Sequence, residues 1–396
     1  MPATPSRGSQ HGPTTGWEWA DTPRPDRLSS QSLSARHPPS KRRRSKEQES
    51  PITQRVARCR APARNRRRWR MEEARAVLER MYGEDATYRS AEQERAMKHV
   101  INGDGQVLAI LRTSEGKSLL YLLPCQLPGA GTTVLILPLV VLKAEMQRRC
   151  HEADLEAHVW EPKSRPEQLH SCPLIIVAVE QAVHPPFREF LNRLAIANEL
   201  DWVVFDKCHL AVTALNYRPV MGLLPLLREL ECQMVFLTAT MPPSLLDRFQ
   251  QAMFLHGARM VRSPTTRRDL RYEVLWSAAR QQFLPEFAIP HIRTLIMQIQ
   301  PDERAIIYCG TKNTALEVAQ AITAPLYHLT SGSVDDKADV LQRWRDGDPV
   351  YIMATSAFGL GIDHPAVRHV VHVGVPLNMI DFAQEVGRLG RDGWGG

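Results

Sequence analysis

The 396-residue sequence contains no run of eighteen apolar residues, so no α-helical membrane span is expected. No apolar segment follows Met1, which argues against a secretory leader. The seven cysteines (Cys59, Cys125, Cys150, Cys172, Cys208, Cys232 and Cys309) include no CxxC pair. Neither a disulfide framework nor zinc is expected, and a reducing compartment fits. Short-period repeats are missing as well. Aliphatic residues are scarce up to about residue 70, where Pro, Ser, Arg and Gln dominate. Such a segment buries too little surface to offset its ordering entropy, so residues 1–75 are expected to be a disordered tail.

Charge is what that tail has instead. Residues 1–70 carry 17 Lys and Arg against 5 Asp and Glu, while the whole chain is only +7. The remainder is therefore slightly acidic. The runs KRRRSK (Lys41–Lys46) and RNRRRWR (Arg64–Arg70) fit a solvated tail, a nuclear-import signal or non-specific attraction to phosphate.

From about residue 80 short apolar runs alternate with longer helical stretches. The runs are QVLAIL (106–111), TVLILP (133–138), LIIVAV (174–179), WVVFD (202–206) and MVFLTAT (234–240). They are nearly all apolar rather than alternating, as strands buried on both faces of a parallel sheet are. A basic stretch, RSPTTRRDLRYEV (262–274), reads as a linker, and the rhythm restarts with RAIIYC (304–309), VYIMAT (350–355) and RHVVHV (368–373). The expected fold is α/β, two tandem domains with mostly parallel sheets, spanning residues 76–265 and 266–396.

QVLAILR runs into TSEGKSLLYLLP, so Gly-Lys-Ser follows a buried strand and opens a helix. That is the setting of a phosphate-binding loop. Backbone N–H groups cradle phosphate, Lys117 reaches the β- and γ-phosphates of ATP, and Ser118 meets magnesium. Ser114 stands where such loops usually have glycine. If that position needs positive φ, a non-glycine residue costs roughly 1–2 kcal/mol. Glu115 is expected to set a negative charge beside the phosphates. Further on, VVFDKCHL delivers Asp206 at a strand end, suited to hold Mg2+. The next position normally supplies the carboxylate that activates water. Lys207 has no acceptor lone pair, and losing a general base costs about 10²–10⁴ in rate.

These segments, with FLTATMPP, ATSAFGLGIDHPAVRHVVH and QEVGRLGRDG, resemble the ordered motifs of RecQ-type DNA helicases of superfamily 2 over about residues 85–396. The resemblance implies two RecA-like domains that sandwich ATP–Mg2+ and step along single-stranded DNA from 3′ to 5′. Thr113, Ser114, Glu115, Gly116, Lys117 and Ser118 would meet the nucleotide, and Gln93 in YRSAEQ would read the adenine edge. Ser118 and Asp206 would hold the metal, and His209 would relay between the nucleotide and DNA sides. Arg388 and Arg391, at i,i+3 spacing on a short helix, would neutralise charge on the γ-phosphate. Thr238, Thr240, Thr355, Gly361 and Asp363 would couple nucleotide state to closure, the threonines also serving DNA contact with Tyr217 and Arg218. PLVVLKAEMQRRC (138–150) and VAVEQA (177–182) resemble segments that touch DNA in that family.

The chain departs from that family at Ser114 and Lys207. It also lacks the stacking tryptophan before Tyr217-Arg218-Pro219 and ends soon after the last motif. Hydrolysis is therefore expected to be impaired. The alternatives are a nucleotide- and DNA-binding module without turnover and a gene remnant, in the manner of truncated RecQ-like copies near fungal chromosome ends. A nuclear location is expected from the tail and the resemblance.

Overall fold

Each apolar run of the sequence becomes a parallel strand, mostly with both faces covered, although the middle of RHVVHV is only half-buried. In this computed structural model the described residues are 68–390, except 139–141, 166–168, 170, 231, 265, 277–284, 328–333, 356–363 and 377. The described residues lie within one unit, Glu49–Gly396. Strands β1 (Val107–Ile110), β2 (Thr132–Leu137), β3 (Ala157–Val159), β4 (Leu174–Ala178), β5 (Leu200–Phe205), β6 (Gln233–Thr238) and β7 (Arg259–Arg262) form a seven-stranded sheet ordered β3-β4-β2-β5-β6-β1-β7. Strands β8 (Arg304–Cys309), β9 (Leu326–Tyr327), β10 (Tyr351–Thr355) and β11 (Val367–Val373) form a second sheet ordered β11-β8-β10-β9. Pairing is parallel in both, so helices must cross over between strands.

The period of two along each strand divides the core. Leu108, Ile110, Val134 and Ile136 face one layer of helices, whereas Val107, Ala109, Leu135 and Leu137 face the other. In the second sheet Ile306 and Tyr308 face one side and Ile307 and Cys309 the other. Fully burying each large aliphatic side chain contributes about 1.5–3 kcal/mol, which is what holds these short strands in place.

The sequence reading needs correction at three places. The folded part begins before residue 76. Trp69 is 7 % exposed, donates Nε1–H to the Pro128 carbonyl at 3.0 Å, and packs on Trp202 with ring centroids 5.2 Å apart. The helix Met71–Tyr82 follows it and buries Ala74, Val77 and Leu78. The rest of the basic tail lies outside the described residues. Second, the linker opens inside the first sheet, since β7 reaches Arg262 and Ser263 is buried against β1. Strand β7 reads RMVR, with only Val261 buried, so no apolar run marked it. Third, LLPLLREL (223–230), whose apolar stripe reads as a helix packed in the core, lies mostly in a 3-10 segment, Pro219–Glu229, which does bury Met221, Leu224, Pro225 and Leu227. Pro225 has no N–H to donate, which disfavours a regular α-helix there.

Candidate nucleotide site

The order β5-β6-β1 brings three strand ends side by side at the carboxyl edge of the first sheet, the usual ligand edge of an open α/β sheet. The loop Leu111–Ser118 leaves β1, Asp206 follows β5, and Thr238 ends β6 between them. Backbone bonds weld the edge. Leu111 N–H donates to Thr238 O at 3.0 Å, Cys208 N–H to Leu237 O at 3.0 Å, and Asp206 N–H to Ile136 O at 3.2 Å. Above this edge opens a cleft of about 1000 Å³.

The loop takes positive φ at two residues, 74° at Ser114 and 68° at Gly116. The strain expected at Ser114 is therefore present in the backbone. At Gly116 glycine is required twice over, because a Cβ would also stand 2.5 Å from Gln93 Nε2. Gln93 is 1 % exposed and its carboxamide bridges two segments. Its Oε1 accepts from Arg89 N–H at 2.7 Å and its Nε2 donates to Gly116 O at 2.9 Å. One amide hydrogen and one lone pair remain for a base edge.

Glu115, expected beside the phosphates, does not line the cleft. It is 5 % exposed and points under the loop, where it accepts from Arg112 N–H (2.7 Å), Arg112 Nε (3.0 Å) and the Ser263 hydroxyl (2.6 Å). The carboxylate staples the loop to Ser263, just past β7 in the stretch that the sequence reading took for linker. Glu115→Ala would leave the Arg112 N–H only the Ser263 hydroxyl at 3.1 Å, take the carboxylate from the Arg112 guanidinium and loosen the loop. It is expected to lower stability by about 1–3 kcal/mol in urea melts and to weaken nucleotide binding rather than strengthen it. Tighter binding by Glu115→Ala would show that its charge reaches the phosphates.

Lys117 Nζ donates to the carbonyls of Leu111 (3.1 Å) and Arg112 (2.9 Å), folded onto its own loop. Ser118 precedes a short helix, Leu119–Leu122, which passes into a 3-10 turn at Pro124–Gln126. Ser118 Oγ accepts from Arg149 Nη1 at 3.3 Å. Asp206 Oδ1 accepts from Lys207 N–H at 2.9 Å, and Lys207 itself has φ 50°. Asp206 and Ser118 are suited to hold a divalent cation, but Lys207 adds a cation beside them. Thr113, Ser114, Gly116, Lys117, Ser118, Asp206 and Lys207 all line the cleft.

His209 is 2 % exposed and sits in the same wall. Its Nε2 accepts from Gln384 Nε2 at 2.9 Å, so its proton is on Nδ1, which donates to Thr238 Oγ1 at 2.8 Å. Thr240 N–H also donates to Thr238 Oγ1, at 3.1 Å, and Gln384 Nε2 approaches Thr240 Oγ1 at 3.4 Å. Burial first, then the Lys207 charge, push the His209 pKa down to about 3, so the ring is neutral. The unfolded ring, with an ordinary value near 6.5, takes a proton that the folded one refuses. Stability from this site is full above pH 6.5 and falls as pH drops through the window towards 3, at up to about 1.4 kcal/mol per pH unit. Urea melts of His209→Gln between pH 7 and 5 should show a flatter pH dependence than the parent. An identical slope in both would overturn the assignment.

Gln384 lies on the helix Met379–Val386 of the second half, capped by Asn378 Oδ1 accepting from Ile380 and Asp381 N–H, both at 2.9 Å. His372 on β11 bonds Glu385 at 2.8 Å and steadies that helix. The helix stops at Gly387, and Arg388 stands in the turn beyond it rather than on the helix. The expected pairing of Arg388 with Arg391 on one helical face thus fails at Arg388, and Arg391 lies outside the described residues. Gly387 permits a close approach. A Cβ there would lie 2.9 Å from Ala383 O and 3.1 Å from Thr113 Oγ1. Arg388, 4 % exposed, lines the cleft opposite the loop.

The remaining expected residues are placed elsewhere. Thr238 is 1 % exposed with its hydroxyl committed to His209, so a DNA contact by Thr238 is excluded in this conformation. Thr240 belongs to the same wall. Thr355 ends β10, opposite Cys309 on β8, and does not line the cleft. Tyr217 is 73 % exposed, and Arg218 is bound to Glu180 through Nε at 2.8 Å and through Nη2. Asp363 and Gly361 lie outside the described residues. Sequence reasoning missed Arg149, Arg112, Ser263 and Gln384. Arg149 and Arg112 carried a local signal, with Glu145 four residues before the one and Glu115 three residues after the other, and Gln384 opens the QEVGRLGRDG motif; Ser263 carried none.

The cleft therefore combines a phosphate loop, a strand-end aspartate and an arginine from the turn after the helix Met379–Val386 of the second half. Known proteins resemble this chain in sequence and fold. The DEAD/DEAH box helicase family matches residues 90–249, and the helicase conserved C-terminal domain matches residues 288–393. ATP-dependent DNA helicase Q5 of Rattus norvegicus is 27% identical over 342 residues, covering 81% of this chain and 35% of the relative. ATP-dependent DNA helicase RecQ of Synechocystis sp. is 29% identical over 315 residues, covering 72% of this chain and 62% of the relative. The chain thus spans less than two thirds of either. A Mycobacterium smegmatis helicase Lhr bound to ssDNA and AMP-PNP superposes with a TM-score of 0.61 at 21% identity, over 81% of this chain and 46% of that one, a likeness of fold. With both helicase domains matched in order on two parallel-sheet halves that meet at one cleft, the chain belongs to the RecQ-type helicases of superfamily 2.

Proposed function

We propose that the chain is a RecQ-like helicase core that binds ATP and single-stranded DNA and hydrolyses ATP slowly. One observation carries the reading. Arg388 from the second half lines the same cleft as Lys117, Ser118 and Asp206 from the first. A cleft of about 1000 Å³ lies within the range of ligand sites and has room for a nucleoside triphosphate. Bound Mg2+ would screen the phosphates, with Ser118 and Asp206 as its protein ligands. Lys117 would leave the Leu111 and Arg112 carbonyls for the phosphates, and Gln93 would use its remaining donor and acceptor on adenine. Arg388, with Arg391, would face the γ-phosphate. Asp363 and Thr355 would act from the second half on closure, with the boundary between the two domains near residue 265.

The weak step is water activation. Lys207 stands where a carboxylate is needed, and neutral His209 is spent on Thr238 and Gln384. His209 would instead report closure, because Gln384 reaches it only when the halves meet. Tyr217 and Arg218 would touch DNA, Tyr217 by stacking from its exposed position. The basic tail would favour the nucleus, and no zinc is expected.

A second reading, a nucleotide- and DNA-binding module without turnover, is favoured by the cation at position 207. Titrating the full chain with a fluorescent ATP analogue and a labelled single-stranded oligonucleotide tests binding, and phosphate release with and without DNA tests turnover. Binding of both with slow release is the expected result. Failure to bind nucleotide under any condition sinks both readings, and release at several per second sinks the slow-hydrolysis part.

A further inference from the structure

The helix Leu142–Glu152 puts a cation where the metal side of the cleft should be open. Arg149 Nη1 donates to Ser118 Oγ at 3.3 Å, the hydroxyl that loops of this kind offer to a divalent ion. Its position is held from behind. Arg149 Nε donates to Glu145 Oε1 at 2.8 Å, and Glu145 also takes Arg148 Nη2 at 2.9 Å and Nε at 3.1 Å. Burial works against the Glu145 carboxylate, but these hydrogen bonds hold its pKa below the ordinary value, so it stays charged and keeps Arg149 aimed. Burial and then the Asp206 charge raise the pKa of the buried Tyr121, whereas Ser118 and Arg149 lower it.

Glu84, Asp85, Glu145, Glu152 and Asp206 also line the cleft, but Glu145 and Glu152 are paired with Arg148 and Arg149, and Asp206 is the acid at the strand end. Asp206 is followed by a lysine, and one of its oxygens already accepts the Lys207 N–H. No group of three or more metal-ligating side chains occurs among the described residues. Lys117, Arg149, Lys207 and Arg388 line this cleft together. A divalent ion approaching Ser118 meets a guanidinium on the oxygen and an ammonium nearby. A triphosphate approaching the same place meets four cations on a prearranged frame.

We propose that Arg149 and Lys207 replace most of the charge neutralisation that a divalent ion gives a bound nucleotide, so that this chain holds a nucleoside triphosphate nearly as well without divalent metal as with it. Arg149 is then a phosphate-binding residue, and its helix serves the nucleotide as well as any DNA contact. The inference rests on the nucleotide-binding reading above. It leaves hydrolysis dependent on metal, since no side chain replaces the ion in activating water.

Equilibrium titration of the full chain with N-methylanthraniloyl-ATP, in excess MgCl2 and in EDTA, tests it. The parent is expected to show Kd values within about threefold of each other. Arg149→Ala is expected to lose at least tenfold in affinity in EDTA and clearly less in MgCl2, with Arg149→Lys recovering part of the EDTA loss. A parent that loses more than tenfold on metal removal overturns the proposal, and so does an Arg149→Ala chain that binds unchanged in EDTA. Should Arg149→Ala fail to fold by circular dichroism, the parent comparison alone still decides. Absence of binding in both buffers overturns the proposal together with the nucleotide reading, whereas binding only in MgCl2 overturns the proposal and leaves that reading standing.

Discussion

Lys207→Glu is expected to raise DNA-stimulated ATP hydrolysis by about 10²–10⁴-fold. The side chain lines the cleft next to Asp206, where a carboxylate would accept the proton of an attacking water. The exchange costs the backbone little, because lysine and glutamate are both non-glycine residues and meet the same penalty at φ 50°. It also removes one of the cations invoked above and adds a metal-side anion, so the variant should bind nucleotide in a more metal-dependent way than the parent. Steady-state phosphate release with and without single-stranded DNA measures the first effect. An unchanged rate in a folded variant would mean that position 207 is not what limits the chemistry.

In that Lys207→Glu background, Arg388→Ala is expected to remove about 10³–10⁵ of the recovered rate, while nucleotide affinity changes far less. Arg388 is buried in the cleft wall and reaches it from the second half, so its charge meets the nucleotide only when the cleft is shut. Gly387 sets that distance, since a Cβ would sit 3.1 Å from Thr113 Oγ1. The same assay under saturating ATP, with affinity measured separately, distinguishes lost transition-state charge from lost binding. An equal loss in affinity and rate, or no loss in rate, would remove Arg388 from the catalytic role.

Much of the fold could be read from pattern because burial on both faces leaves a plain mark. A strand such as LIIVA in β4 has no polar residue to confuse it, and its length separates it from a helix. Edge strands carry no such mark. Strand β7 has two exposed residues and one buried valine, so no apolar run marked it, and the linker was read from Arg262, its last residue. The phosphate loop was legible for another reason: its chemistry uses consecutive residues, and Gly-Lys-Ser after a strand carries its own context. Side-chain direction was not legible. Glu115 sits between residues that line the cleft, and only the fold of the loop turns it down to Arg112 and Ser263.

From sequence alone came the two parallel-sheet halves, the order of their motifs, the loop residues around Lys117, Asp206 with its lysine neighbour, and the resemblance to RecQ-type helicases. Each of these is written in local order, as a period or as adjacent residues. The tertiary structure decided the contacts between distant segments. It placed Arg149 on Ser118, Glu115 on Ser263, Gln384 on His209 and Gly387 against Thr113. Those pairs are up to 274 positions apart and share no period. They exist because parallel strands return every crossover to one sheet edge, and the sheet edge, not the chain order, sets which side chains meet.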